Sequence, residues 1–196
     1  MTVRTIHLVR HLPTDGSPRG RIDRGDVDAW LASEDDRGIV AGSEASAELR
    51  DVVAACRHLR VSPLRRAQET AATALAELDE SARPEPVTLP DLREAPLPVL
   101  HLPVLRLPMD AWDVGARLAW MAGWSGGVES RRSCDRRASS AAGELHRLAA
   151  DGPVTAIAHG FLNVMVARHL RRLGWFGPRI PAHHNGAVTA YTLGAT

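Results

Sequence analysis

The 196-residue sequence contains no lysine; all 24 of its basic residues are arginine. That absence excludes a P-loop lysine, a Schiff-base lysine and a Ser-Lys catalytic pair together. It leaves arginine as the fixed side-chain cation, a group suited to bidentate contact with phosphate oxygens. Cysteine is almost absent. Cys56 and Cys134 stand at no metal-binding or redox spacing. The residue six positions after each is a serine, Ser62 or Ser140, so neither opens the cysteine-to-arginine loop of a cysteine phosphatase. Both are expected to be reduced, structural thiols of a cytoplasmic protein. Net charge is only +1, so no global field favours nucleic acid or a membrane surface, and neither is expected as a partner. No apolar run reaches the length of a membrane span, and the N-terminus reads as a strand rather than a signal peptide.

Hydrophobic residues make up 44% of the chain and charged ones 24%, the balance of a globular protein. The length suits one sizeable domain, residues 1–196. The chain is organised around Thr5-Ile6-His7-Leu8-Val9-Arg10-His11-Leu12-Pro13-Thr14. Its apolar, β-rich run reads as the first strand of an open α/β sheet, ending in an arginine and a histidine. Ligands of such sheets bind beyond the carboxyl ends of the strands. The tripeptide Arg-His-Leu recurs at Arg57-His58-Leu59 and Arg168-His169-Leu170. Both later copies sit late in helical patterns, where basic residues are ordinary. Only the strand-end position singles out the first.

Beyond His11, Asp15–Arg21 is rich in turn residues, and a loop leaving the strand end with Arg19, Arg21 and Arg24 could fold back over an anion, although solvated loop charges are the commoner role for any one of them. Asp26–Leu31 begins a short helix. Gly42-Ser43 opens a helix to about Leu59, with Ala45, Leu49, Val52, Val53 and Cys56 on one face. A short strand ends near Ser62, and the next helix runs to about Leu78. This puts Arg65 or Arg66 at a helix N-terminus, where free N–H groups favour an anion. Val87-Thr88-Leu89 suggests a third strand, followed by Asp91-Leu92-Arg93-Glu94. The proline-rich stretch Leu97–Pro108 excludes a helix interior or a central strand and reads as extended. Asp110 can then cap a helix carrying Trp112, Trp120 and Trp124, a cluster suited to core or to a homodimer interface. A longer helix spans about Glu129 to Ala150. Val154–Ala158 is a buried-type strand ending in His159-Gly160; a helix follows from about Asn163 to Leu173, closed by Gly174. Gly186–Leu193 closes the sheet at an edge.

His11, Arg66, Glu94 and His159 therefore share one address, at or just beyond the C-terminal ends of strands. Phosphoryl transfer needs cations around the transferring oxygens, an in-line nucleophile and an acid for the leaving oxygen. Arginines and one histidine supply the first, an imidazole the second, a carboxyl the third. No convincing metal-ligand spacing is evident: His183-His184 is adjacent in a loop and cannot chelate from one helix face.

These motifs, Leu8-Val9-Arg10-His11, Ser62-Pro63-Leu64-Arg65-Arg66-Ala67-Gln68-Glu69-Thr70-Ala71, Leu92-Arg93-Glu94 and Ala158-His159-Gly160, resemble those of the histidine phosphatase (phosphoglycerate mutase-like) superfamily, branch 1, from about residue 3 to residue 193. The resemblance selects Arg66 over Arg65. It implies a three-layer α/β/α fold with a mostly parallel central sheet. It further implies His11 as the nucleophile that forms a phosphohistidine, Arg10, Arg66 and His159 as ligands of the phosphoryl oxygens, and Glu94 as the acid that protonates the leaving group and then activates water. No metal or other cofactor is implied. Leu12 stands where the family usually has glycine, and a change in pocket shape is the expected consequence.

The reading that follows is a metal-independent phosphatase acting on a small-molecule phosphomonoester. A phosphomutase, a phosphohistidine-directed protein phosphatase and a non-catalytic binder of a phospho-ligand are the alternatives. The Pro/Trp-rich segment, about residues 95–128, is expected to lie over the site as a cap that sets substrate choice, or to form a subunit interface. Its tryptophans would favour a substrate with an apolar or aromatic part.

Overall fold

Five apolar runs of the sequence become the five strands of the main sheet. The computed structural model describes residues 3–16, 18–100 and 105–194. Strand β1 (Arg4–Arg10) lies between β6 (Val154–Ala158), which is parallel to it, and β7 (Val188–Leu193), which is antiparallel. Strand β3 (His58–Val61) pairs parallel with β6, and β4 (Pro86–Thr88) pairs parallel with β3, giving the order β4-β3-β6-β1-β7. The closing strand is thus an edge strand. The register sets Val9 beside Ile157 and Arg10 beside Ala158, so the next residues, His11 and His159, leave neighbouring strands together.

Alternation along the strands divides the core into two layers. Ile6, Leu8, Ala156 and Ala158 face helices α5 (Arg131–Leu148) and α6 (Gly160–Arg172), packing on Ala138, Ala141, Leu145, Leu162 and Val166. Val9, Leu59, Val61 and Ile157 face α2 (Ala47–Ala54) and α3 (Arg65–Ala76), against Leu49, Val53, Ala67 and Ala71. The fold is a mixed α/β architecture, a mostly parallel sheet with helices on both faces. A third, smaller cluster joins Ile22, Val27 and Trp112. It ties α1 (Arg24–Glu34) to α4 (Met109–Met121) around a short antiparallel ribbon of β2 (Arg21–Ile22) and β5 (Leu107–Pro108).

Several boundaries differ from the sequence expectation. The helix expected from Gly42 to Leu59 is α2 alone, capped by the Ser46 side chain and ended at Ala54. Arg57-His58-Leu59 consequently opens β3 rather than closing a helix. The N–H groups of Arg57 and His58 both donate to the Pro153 carbonyl, which draws the chain onto β6 before Leu59 and Val61 enter the core. The third Arg-His-Leu copy does lie at the end of α6. Asp110 occupies the first turn of α4 without capping it, because the N-cap position falls on Pro108. At α1 the caps are Asp23 and Asp26, each side chain accepting from the other residue's N–H, as in a capping box. Within the proline-rich stretch, His101-Leu102-Pro103-Val104 lies outside the described residues; Leu97–Leu100 is neither helix nor strand. Among the described residues no helix is long and apolar enough to cross a membrane. Cys56 and Cys134 are buried free thiols.

Candidate active site

A parallel sheet delivers the ends of its strands to one edge, and there a cavity of about 650 Å³ opens. Arg10, His11, Arg66 and Glu94 all line it. His159 lies behind them, fully buried. The rings of His11 and His159 are 5.2 Å apart between centroids and tilted by 56°.

His11 is held through its main chain and its ring. Its N–H donates to the Ala158 carbonyl at 3.0 Å, and its own carbonyl accepts from Gly186 N–H at 3.1 Å and Asn185 Nδ2 at 3.1 Å. Nδ1 lies 2.7 Å from the Leu12 carbonyl. A carbonyl only accepts, so Nδ1 carries the proton and Nε2 carries the lone pair. Burial pushes the imidazole down from 6.5 to about 4, with the Arg66 and Arg10 charges acting in the same direction and the Leu12 hydrogen bond opposing them. At neutral pH the ring is an uncharged base with a defined tautomer.

Arg66, at the start of α3, is 3% exposed. Its Nε donates to His159 Nδ1 at 3.3 Å, and Ser62 Oγ lies 2.7 Å from His159 Nε2. Because a guanidinium only donates, His159 is the Nε2-protonated tautomer, donating to Ser62. Burial, with Arg66 and His11 beside it, keeps this ring well below the ordinary imidazole range. Arg66 Nη1 donates to the Glu34 carbonyl at 2.6 Å, and Nη2 is 3.6 Å from Glu34 Oε1. Burial raises the Glu34 carboxyl, while Arg66 works against that. Arg10 donates through Nη1 to the His183 carbonyl; its Nε is buried with no hydrogen-bond partner.

Glu94 caps α6. Its Oε1 accepts from Leu162 N–H at 2.9 Å and Ala95 N–H at 2.8 Å, and its Oε2 makes one longer contact, 3.4 Å, to Phe161 N–H. Arg137 of α5 fastens the turn behind it, donating to the carbonyls of Asp91 and Glu94 while pairing with Glu129 at 2.7 Å.

The structure thus gathers all five residues singled out from the sequence. Arg19, Arg21 and Arg24 do not line the cavity; Arg21 donates to the Arg106 carbonyl and Arg24 pairs with Asp28. Arg37 and Arg117 line it instead. Leu12 does not line the cavity either. Its side chain is buried beneath the site, and a Cβ at Gly186, which has φ +75°, would come within 3.2 Å of it. Its N–H donates to Thr70 Oγ1 at 2.9 Å. Of the cap tryptophans, Trp112 and Trp120 are buried and none of the three lines the cavity; Trp30 does. The apolar wall comes from Leu97, Met109, Val114, Leu118 and Phe161.

Glu34, Arg37, Arg117, His183 and Asn185 were not recognised from the sequence as site residues. For the last two a signal existed. β7 runs antiparallel to the others, so the loop before it falls at the edge where the parallel strands end.

Residues 6–195 match the model of the histidine phosphatase superfamily (branch 1), and the chain belongs to that family. Among solved structures it is similar to phosphoglycerate mutase from Bacillus anthracis, at 18% identity and TM-score 0.65, covering 99% of this chain and 92% of that one. It is also similar to mycobacterial glucosyl-3-phosphoglycerate phosphatase, at 24% identity and TM-score 0.58, covering 95% and 89%. A phosphoserine phosphatase from Entamoeba histolytica shares the fold at 12% identity and TM-score 0.54, covering 95% and 89%. No curated protein matches the sequence.

Proposed function

We propose that this chain is a metal-independent, cytoplasmic phosphatase that hydrolyses a small-molecule phosphomonoester through a phosphohistidine on His11. The observation that carries the reading is the His11 tautomer. Nδ1 is committed to the Leu12 carbonyl at 2.7 Å, and the neutral ring is left to attack through Nε2 between two arginines.

In the first half-reaction Nε2 attacks phosphorus in line. An N–P bond forms, the P–O bond to the alcohol breaks, and Glu94 gives the departing oxygen its proton. In the second, Glu94 takes a proton from water, which attacks the phosphohistidine; the N–P bond breaks and orthophosphate leaves. Oε1 of Glu94 is doubly held, whereas Oε2 has only the longer Phe161 N–H contact, so Oε2 is the oxygen better placed for these transfers. Arg10 and Arg66 supply the positive charge around the phosphoryl oxygens. The unpartnered Nε of Arg10 supports this, since a buried donor without an acceptor is what a ligand oxygen would satisfy. His159 joins them when the incoming dianion draws Arg66 Nε away from its Nδ1, which then takes up a proton.

The substrate's alcohol would meet Leu97, Met109, Val114, Leu118 and Phe161, which favours one with an apolar portion. Leu12, turned away from the cavity, gives no ground for a purely binding role.

The test is p-nitrophenyl phosphate turnover from pH 5 to 8 with chelator present, wild type beside His11→Ala, followed by a panel of phosphate esters. Activity that survives chelation and disappears in His11→Ala is expected. Turnover retained by His11→Ala, or abolished by the chelator, would overturn the reading.

A further inference from the structure

Glu34 is the last residue of α1, on the cap side of the cavity. It approaches Arg66 twice, by its main-chain carbonyl at 2.6 Å and by its carboxylate at 3.6 Å. With Nε on His159, every nitrogen of this guanidinium already faces a protein acceptor. The same residues divide space. Glu34, Arg66 and Glu94 line both the 650 Å³ cavity and a second one of about 340 Å³. On the far side, Asp35 pairs with Arg93. The Glu34–Arg66 pair is therefore part of the wall between two openings onto the same cation.

We propose that Glu34 is an internal counter-anion of Arg66, displaced by the substrate's phosphoryl group and returning to expel orthophosphate. The inference rests on the reading of Arg66 as a phosphoryl ligand. A buried guanidinium without an anion is strongly disfavoured; Glu34 fills that need in the resting protein. A phosphoryl dianion binds the same nitrogens more strongly, because its charge is larger and its geometry bidentate. The two anions repel, so binding of one loosens the other. The carbonyl of Glu34 remains as the fixed contact, and the carboxylate is the part that moves. Its competition weakens phosphate binding at both ends of the reaction. That raises KM for substrate and prevents the product from holding the site.

Glu34→Gln removes the charge and leaves side-chain length and main-chain carbonyl in place. The experiment measures inhibition of p-nitrophenyl phosphate turnover by inorganic phosphate, and phosphate binding by calorimetry, in wild type, Glu34→Gln, Glu34→Ala and Arg66→Ala. Thermal unfolding of each variant establishes that it is folded. In both Glu34 variants the phosphate dissociation constant is expected to fall ~5- to 20-fold, the lower part of the range of ordinary site-to-site coupling. KM falls with it, and kcat does not rise. In Arg66→Ala, added Glu34→Gln has no further effect. Unchanged or weaker phosphate binding in the folded Glu34 variants, with wild-type binding still dependent on Arg66, would overturn this inference alone. Phosphate binding independent of Arg66, or absent from every variant, would overturn the reading of Arg66 and this inference together.

Discussion

The floor of the cavity and its cap are built by different means. On the floor, the position of His11 follows from strand register. Its main chain is bonded to Ala158 on β6 and to the Asn185–Gly186 turn before β7, and its ring to Leu12. Moving it means breaking the sheet. The cap rests on the small cluster of Ile22, Val27 and Trp112 and on a ribbon with two residues in each strand. From α4 it presents Val114 and Leu118 to the cavity, 60% and 65% exposed. Chemistry that needs sub-ångström placement sits where long-range hydrogen bonds over-determine it. The apolar contacts proposed to choose among substrates sit on surfaces that change without disturbing the sheet. The difference implies that floor substitutions act on kcat and cap substitutions on KM and substrate ranking.

The largest effects belong to the floor. His11→Ala is expected to lower kcat by at least ~10³-fold, since it removes the proposed nucleophile while leaving the proposed phosphate ligands Arg10 and Arg66 in place. Glu94→Gln should lower kcat by roughly 10²- to 10³-fold. Its amide oxygen can still accept from Leu162 and Ala95, so the cap on α6 survives and the thermal unfolding midpoint shifts little. Rapid acid-free quench with ³²P-labelled substrate should show phosphohistidine accumulating in this variant. A variant equal to wild type in both rate and phosphoenzyme level would place the acid elsewhere.

The cap gives the next largest effect, on stability. Trp112 is buried, and its Nε1 donates to the Ile22 carbonyl at 3.1 Å. Trp112→Ala removes the centre of a three-residue cluster and is expected to destabilise the cap by about 3 kcal/mol or more. If cap and floor are separable, hydrogen exchange should rise over α1 and α4 while β1 and β6 keep their protection. Equal loss of protection in the sheet would break the comparison and show a single cooperative unit.

How much of this was legible in the sequence follows the same division. His11, His159 and Glu94 were legible because they follow the C-terminal ends of patterned strands, Glu94 least sharply, since β4 has only three residues and the turn after it is irregular. The pattern left Arg65 and Arg66 both at the start of α3, and the family resemblance was needed to choose Arg66. The cap was legible only as proline and tryptophan content. The tryptophan cluster pointed to core or a subunit interface, and Trp112 and Trp120 are indeed buried, whereas Trp30, in a helix with no clear apolar face, lines the cavity. Arg37 and Glu34 reach the site through the placement of α1, which no local pattern specifies. The end of α2 was misplaced because its apolar spacing continues to Cys56 and passes without a glycine or proline into β3.

Acid sharpens the contrast from the floor side. The unfolded chain takes up a proton on His11 as pH falls below 6.5, whereas the folded chain resists until about 4. The stability contributed by the neutral ring is therefore complete above pH 6.5 and is lost as pH falls towards 4, by up to roughly 3 kcal/mol. His159, lowered in the same direction, adds to the slope. Unfolding midpoints measured from pH 7 to 4.5 should decline, and His11→Ala should flatten the decline. An identical slope in the variant would mean that His11 is not held neutral by its burial.

The smallest effect tests whether the cap chooses substrates. Val114 and Leu118 lie four residues apart on α4, one turn of the same face. Replacing either by serine removes apolar area from the cavity wall without touching Trp112 or any hydrogen bond to the floor. For phosphate esters of apolar alcohols KM should rise about 3- to 10-fold, less than a methylene contact in an enclosed pocket because Val114 and Leu118 are largely exposed. kcat should be unchanged, and turnover of phosphate esters of small polar alcohols should be unaffected. A uniform fall in kcat across the panel would mean that α4 helps to position the reacting groups, and the division between floor and cap would have to be drawn beyond that helix.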